Sequence, residues 1–152
     1  MDMSTPLCLG DLLAHTARTH PDQTALVFRE RRRSYAALDR RVNQIAHGLR
    51  RLGLQPGDRV ALLVDNCDLA YELLLGCARA GLIFVPVNFM LKEREILQIV
   101  NHAAARVFVA GPAHRTKVET IRPSLASVRQ IVLAEEGPDR LDGLTVGTPG
   151  DP

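Results

Sequence analysis

An α/β fold, with an open and largely parallel sheet flanked by helices, is predicted by three observations. First, Val60-Ala61-Leu62-Leu63-Val64 is a short apolar run that does not alternate, as expected of a strand covered on both faces. Second, residues 59–88 read strand, helix, strand, a βαβ unit whose crossover is expected to be right-handed. Third, two further apolar runs, 106–110 and 130–134, each follow a helical stretch.

Taken in order, residues 9–19 read as a first helix, with Leu12, Leu13 and Ala17 expected to face inward and His20-Pro21 ending it. Residues 24–28 form a β-rich run that residues 33–35 can pair with across a charged turn. That turn holds Arg29, Arg31, Arg32 and Arg33. It reads either as a solvated hairpin tip or as a basic patch for phosphates or an acidic partner. Ser34 is a good N-cap for the next helix, because its oxygen can accept a free backbone N–H. Ala37 stands where Glu would complete a capping box. Leu38, Val42, Ile45, Leu49 and Leu52 recur at helical spacing and define one face, with Asp39, Arg40, Arg41, Asn43 and Arg50 expected elsewhere. Gly53 is a stop signal, Leu54 can fold back onto the helix, and Pro56-Gly57-Asp58 is a turn into the strand at Val60.

The helix of the βαβ unit, 69–80, carries a wide apolar stripe of Leu69, Ala70, Leu73, Leu74, Cys77 and Ala78, interrupted by Glu72 and Arg79. Gly81 fits the left-handed position past its end, where lacking a Cβ costs nothing. Ile83, Phe84 and Val85 start the next strand, and Pro86 limits its pairing. A helix is expected over 92–102 with Ile96, Leu97 and Val100 buried. A modest helix over 112–121 uses Val118 and Ile121 before Pro123 interrupts it. From Glu135 the chain is dense in Gly, Pro and charge. Residues 1–134 therefore read as one α/β unit and 135–152 as a linker or disordered tail.

Composition narrows the function classes. The chain has 152 residues, 46% hydrophobic and 24% charged, ordinary for a globular domain with a real core. A net charge of +2, 4% aromatics and no Trp argue against nucleic acid and against a base-stacking surface. No apolar run reaches the ~18–20 residues of a membrane span, and no basic-then-apolar leader opens the chain. Cys8, Cys67 and Cys77 are odd in number and lack metal spacing, so they read as idle or buried thiols in a reducing compartment, and a cytoplasmic location is expected.

Few residues invite chemistry. The histidines are scattered without an i,i+4 metal pair, and neither a nucleophile elbow nor a dinucleotide glycine fingerprint occurs. Val146-Gly147-Thr148-Pro149-Gly150 is only superficially a phosphate loop, because it lacks the Lys and follows no strand. Asp65, Asn66, Asp68 and Asn88 follow two core strands, where open α/β sheets place ligands. Of these Asn66 and Asn88 are the candidate binding residues. The alternative is that Asn66 or Asp68 caps the helix that follows and Asn88 satisfies a turn. No catalytic and no metal-binding residue is assigned.

Ala78-Arg79-Ala80-Gly81 followed by Val85-Pro86-Val87-Asn88 resembles the second core motif of the AMP-forming acyl-CoA synthetase and adenylation-domain superfamily. Arg33-Ser34-Tyr35-Ala36-Ala37-Leu38 is similar to the first, usually Thr/Ser-Tyr-x-Glu-Leu, and Gly57-Asp58-Arg59-Val60-Ala61 between them is another habit of that family. The resemblance covers roughly residues 7 to 134 in order and spacing. The superfamily's Ser/Thr/Gly-rich phosphate loop ending in Pro-Lys-Gly is absent, as are its later motifs. The resemblance therefore implies the N-terminal subdomain of the adenylate-forming enzyme fold. It implies a parent that uses ATP, Mg²⁺ and CoA to convert a carboxylic acid to an acyl-adenylate and then to a thioester. The chain alone is expected to bind none of these and to be inactive. Arg79-Ala80-Gly81, Asn88-Phe89-Met90-Leu91 and Asn101-His102-Ala103 look most like fatty-acyl or aryl-acyl CoA ligases. A carrier-protein-loading adenylation domain and a stand-alone binding module stay open. The expected partners are the remainder of the parent enzyme and, through exposed apolar surface, further copies of the chain.

Overall fold

The computed structural model describes residues 9–135. The 17 residues from Glu136 to Pro152 and the first eight, with Cys8, the Gly147 loop and nearly all of the expected tail, lie outside the described residues. Helix α1 (Leu9–Thr19) leads into a hairpin, β1 (Thr24–Phe28) and β2 (Arg31–Ser34), and then α2 (Tyr35–Arg51). The βαβ unit is β3 (Arg59–Leu63), α3 (Asp68–Ala80) and β4 (Ile83–Pro86). It is followed by α4 (Glu93–His102), β5 (Val107–Ala110), a 3₁₀ turn (Pro112–His114), α5 (Arg115–Ile121) and β6 (Gln130–Leu133).

Four strands form one parallel sheet in the order β4-β3-β5-β6, while β1 and β2 pair antiparallel on their own. Val60 sits opposite Phe84 on one side and Val107 on the other. The absence of alternation in β3 now has its cause. Val60 and Leu62 enter a core with α2 and α3, whereas Ala61 and Leu63 enter a second core with α4 and α5. Both faces of the central strands β3 and β5 are thus dry, giving helix, sheet and helix layers.

Local chemistry sets the element ends. Ser34 is the N-cap of α2, its hydroxyl accepting from Ala37 N–H at 3.3 Å. Glu95 accepts from the Lys92 N–H at 2.9 Å, so α4 is closed by an acidic residue in its first turn although no Ser or Thr precedes it. Gly81 has φ +75° and ends α3, and the Leu82 N–H returns to the Cys77 carbonyl at 2.8 Å.

Four expectations are corrected. Leu12 faces solvent at 55% exposed, so only Leu13 and Ala17 of the expected three are buried. Residue 67, not 66 or 68, is the N-cap of α3, and Cys67 makes no side-chain cap bond. Asp68 instead opens the helix and accepts from Leu69 N–H and from Arg31. Arg41 is 6% exposed, and Glu72 is 3% exposed rather than interrupting a buried stripe. Arg41 and Glu72 were misplaced for one reason: charge predicts the surface only until two opposite charges meet in the interior.

Candidate functional site

The hairpin arginines divide: Arg29 and Arg32 are exposed, as a solvated tip requires, whereas Arg31 and Arg33 turn onto acidic residues of α3. Arg31 reaches the Asp68 carboxylate at 3.1 Å and Arg33 lies 3.0 Å from Glu72 Oε1, while Arg41 of α2 donates to Glu72 Oε2 at 3.2 Å. Glu72 is thereby bracketed by two guanidinium groups in a site with little water. Burial pushes its carboxyl above the ordinary value, Arg33 and then Arg41 pull it back, and Asp68 adds a smaller upward push. Arg79, at the other end of α3, binds Asp39 Oδ1 at 2.7 Å, Asn43 Oδ1 at 2.6 Å and the Gly10 carbonyl at 2.7 Å. These groups staple α1, α2 and β2 to α3. They are used up in holding the fold and leave no open ligand position.

The open ground is elsewhere, at the carboxyl ends of the sheet. A cleft of about 380 Å³ is lined by Asp65, Asn66 and Cys67 after β3, by Gly111, Pro112 and Ala113 after β5, and by Ala134 and Glu135 after β6. Phe28 and Arg29 of the hairpin close its side. The parallel strands bring these loops to one edge, which is where ligands bind in open α/β sheets. Asn66 therefore lies on a cleft. Asn88 does not: its Oδ1 accepts from Met90 N–H at 2.9 Å and closes the turn after β4.

Behind the cleft stands His114, which the scattered spacing of histidines in the sequence gave no reason to single out. It is buried, its Nε2 is 3.3 Å from Asp65 Oδ1, and its ring lies against Phe89. Lys117 Nζ donates to the carbonyls of Phe89 and Leu91 at 3.0 and 2.8 Å, tying the loop after β4 to α5. The signal that could have found this histidine is positional: it falls four residues past the end of a buried strand.

The cleft offers acceptors (Asp65, Asn66, Glu135) and donors (Arg29, Asn66). Among the described residues no three His, Cys, Asp or Glu side chains are grouped to hold a metal ion. Cys77 is sealed in the core, where burial pushes its thiol up to about 12. Among the described residues no helix is long and apolar enough to cross a membrane.

Comparison with known proteins gives one consistent result. The profile of the AMP-binding enzyme family matches residues 13–149. A feruloyl-CoA synthase from an Amycolatopsis species is 38% identical over 113 residues, 74% of this chain and 23% of the relative. The chain thus spans about a quarter of the length of the curated relatives it matches. A protein from Rhodopseudomonas palustris described as a long-chain-fatty-acid CoA ligase superposes with a TM-score of 0.86 at 33% identity, over 94% of this chain and 37% of that one. The N-terminal domain of FACL13 from Mycobacterium tuberculosis gives 0.83 at 27% identity, over 93% of this chain and 36% of that one.

Proposed function

The chain belongs to the AMP-binding enzyme family, and on that premise we propose that it is the N-terminal part of an ATP-dependent, AMP-forming carboxylate–CoA ligase. The observation that carries this reading is the coincidence of family match and fold over nearly the whole chain. Residues 13–149 match the family, and the four-stranded parallel sheet with its flanking helices superposes on a ligase-like protein at a TM-score of 0.86. In such a reaction the substrate carboxylate attacks the α-phosphorus of ATP, pyrophosphate leaves, and the thiol of CoA then displaces AMP from the acyl carbon. ATP with Mg²⁺, and CoA, are substrates of the whole enzyme.

The described residues serve this chemistry as a scaffold. The Arg79 staple ties α1 and α2 to α3, and the Gly81 turn leads α3 into β4 beside β3. The preferred acid is a fatty or aryl acid, because the similar proteins carry both kinds of acyl group in their names. CoA is the preferred acceptor on the same ground.

The test is acyl-CoA formation by the longest open reading frame that contains this chain, with a panel of fatty and aryl acids. The expected result is acid-dependent AMP release and a CoA thioester, together with a Ser/Thr/Gly-rich loop ending in Pro-Lys-Gly downstream of Pro152. A stop codon directly after residue 152, with no turnover of any acid, would favour a stand-alone binding module instead. Loading of a carrier-protein pantetheine in place of CoA would move the acceptor and leave the adenylation reading intact.

A further inference from the structure

Loops leave the carboxyl ends of β3, β4 and β5, and His114 bridges all three. It belongs to the turn after β5, its Nε2 is 3.3 Å from Asp65 Oδ1 after β3, and its ring meets Phe89 after β4 with centroids 6.2 Å apart at 33°. The two partners differ in freedom. His114 is 7% exposed, and its backbone N–H is fixed to the Gly111 carbonyl at 3.0 Å. The Asp65 side chain is 60% exposed and lines the cleft. Nε2 is buried and reaches no well-aligned hydrogen bond at this distance. A buried polar atom left in that state calls for a reason, and contacts at ligand sites often tighten only when the ligand arrives.

The charges around the cleft restrict what can arrive. Among the described lining residues Asp65 and Glu135 are acidic, and Arg29 is the cation beside them. A carboxylate or phosphate meets two negative charges for one positive. A neutral group that donates hydrogen bonds meets an exposed carboxylate free to accept them.

We propose that His114 is a positioning residue, which through Nε2 aims the Asp65 carboxylate across the cleft to accept hydrogen bonds from an uncharged donor group of a cosubstrate. This rests on the ligase reading. ATP and CoA both bear such groups, as hydroxyl, amino or amide N–H, whereas the reacting carboxylate does not. His114 touches no reacting atom in this proposal.

The experiment has two parts. In the isolated chain, long-range ¹H–¹⁵N NMR reports the His114 tautomer, and the expected result is a proton on Nε2 whose resonance shifts in Asp65→Asn. An unprotonated Nε2, or a resonance indifferent to Asp65→Asn, overturns the pair whatever the enzyme turns over. In the full-length enzyme, His114→Phe and Asp65→Asn are expected to raise KM for ATP or for CoA by about fivefold or more, with kcat changed less than KM. KM for the acid should stay within about twofold, and His114→Gln, which keeps a donor, should restore most of the loss. The ATP and CoA arms identify the source of the donor group. Should His114→Phe fail to fold, the exposed Asp65→Asn carries the test alone. Unchanged KM for both cosubstrates, a defect confined to the acid, or a His114→Gln variant as impaired as His114→Phe each overturn the proposal. A wild-type enzyme that turns over no acid contradicts the ligase reading, and the NMR result still judges the pair.

Discussion

Gly76 of α3 lies so close to Ile45 of α2 that a Cβ on the glycine would sit 2.5 Å from Ile45 Cγ2 and 3.0 Å from Ile45 Cβ. Ile45 is fully buried and β-branched, so it has no free rotamer to retreat into. The helix pair at the centre of the fold is therefore set by a missing side chain. Gly76→Ala should cost about 1–3 kcal/mol through overpacking, which outweighs the roughly 1 kcal/mol that Ala gains over Gly inside a helix. Thermal melting should show a drop of several degrees, and the penalty should shrink in an Ile45→Ala background. Equal penalties in both backgrounds would mean that the two residues do not touch.

Gly81 presents the opposite case. The nearest atom to an added Cβ is Pro56 Cβ at 3.5 Å, an ordinary contact, but φ is +75°. Gly81→Val should thus be costly through backbone strain alone, by about 1–3 kcal/mol. Gly81→Asn, which tolerates the left-handed region better, should recover part of that loss. A melting temperature unchanged in Gly81→Val would contradict the assigned conformation.

Glu72 makes a pH-dependent prediction. Burial raises its carboxyl above the ordinary 4.5 despite Arg33 and Arg41, so the native state binds that proton more tightly than the unfolded chain does. Its contribution favours folding below about pH 4.5 and is lost as pH rises through the raised native value. Glu72→Gln removes this term. The stability of Glu72→Gln relative to the parent chain should therefore improve as pH rises from about 4 toward neutrality. Denaturant titrations across that range are the measurement, and a relative stability that falls with rising pH would reverse the sign argued here.

Much of this architecture is legible in the residues themselves. The unalternating Val60–Leu63 run announces a strand buried on both faces, and Gly53, Gly57 and Gly81 mark three positive-φ turns. Ser34 marks a helix start. What is not legible is pairing at a distance. Arg41 and Glu72 are 31 positions apart, and nothing local says that they neutralise one another. His114 and Asp65 meet only because β3 and β5 are neighbours in a sheet whose order no local pattern encodes. For the same reason Asn66 and Asn88, equivalent as strand-end residues, separate into one cleft residue and one turn residue.

Association of the isolated chain is a further expected outcome. Among the described residues strand β4 has a neighbour on one side only, and along it Ile83 is 50% exposed while Phe84 and Val85 are half-buried. An open, apolar edge strand favours pairing with another chain. Sedimentation velocity across a wide concentration range should show oligomers that grow with concentration. A single monomeric species throughout would remove this expectation.

Our central proposal is that this chain is one wall of an adenylate-forming enzyme and does not catalyse by itself. Carboxylate-dependent ATP–pyrophosphate exchange, measured side by side on the isolated 152-residue chain and on the full open reading frame, tests it most directly. The expected result is exchange by the full protein with a fatty or aryl acid, and none above a no-protein control by the chain alone. Exchange by the chain alone, or none by the full protein with any acid, would contradict the claim.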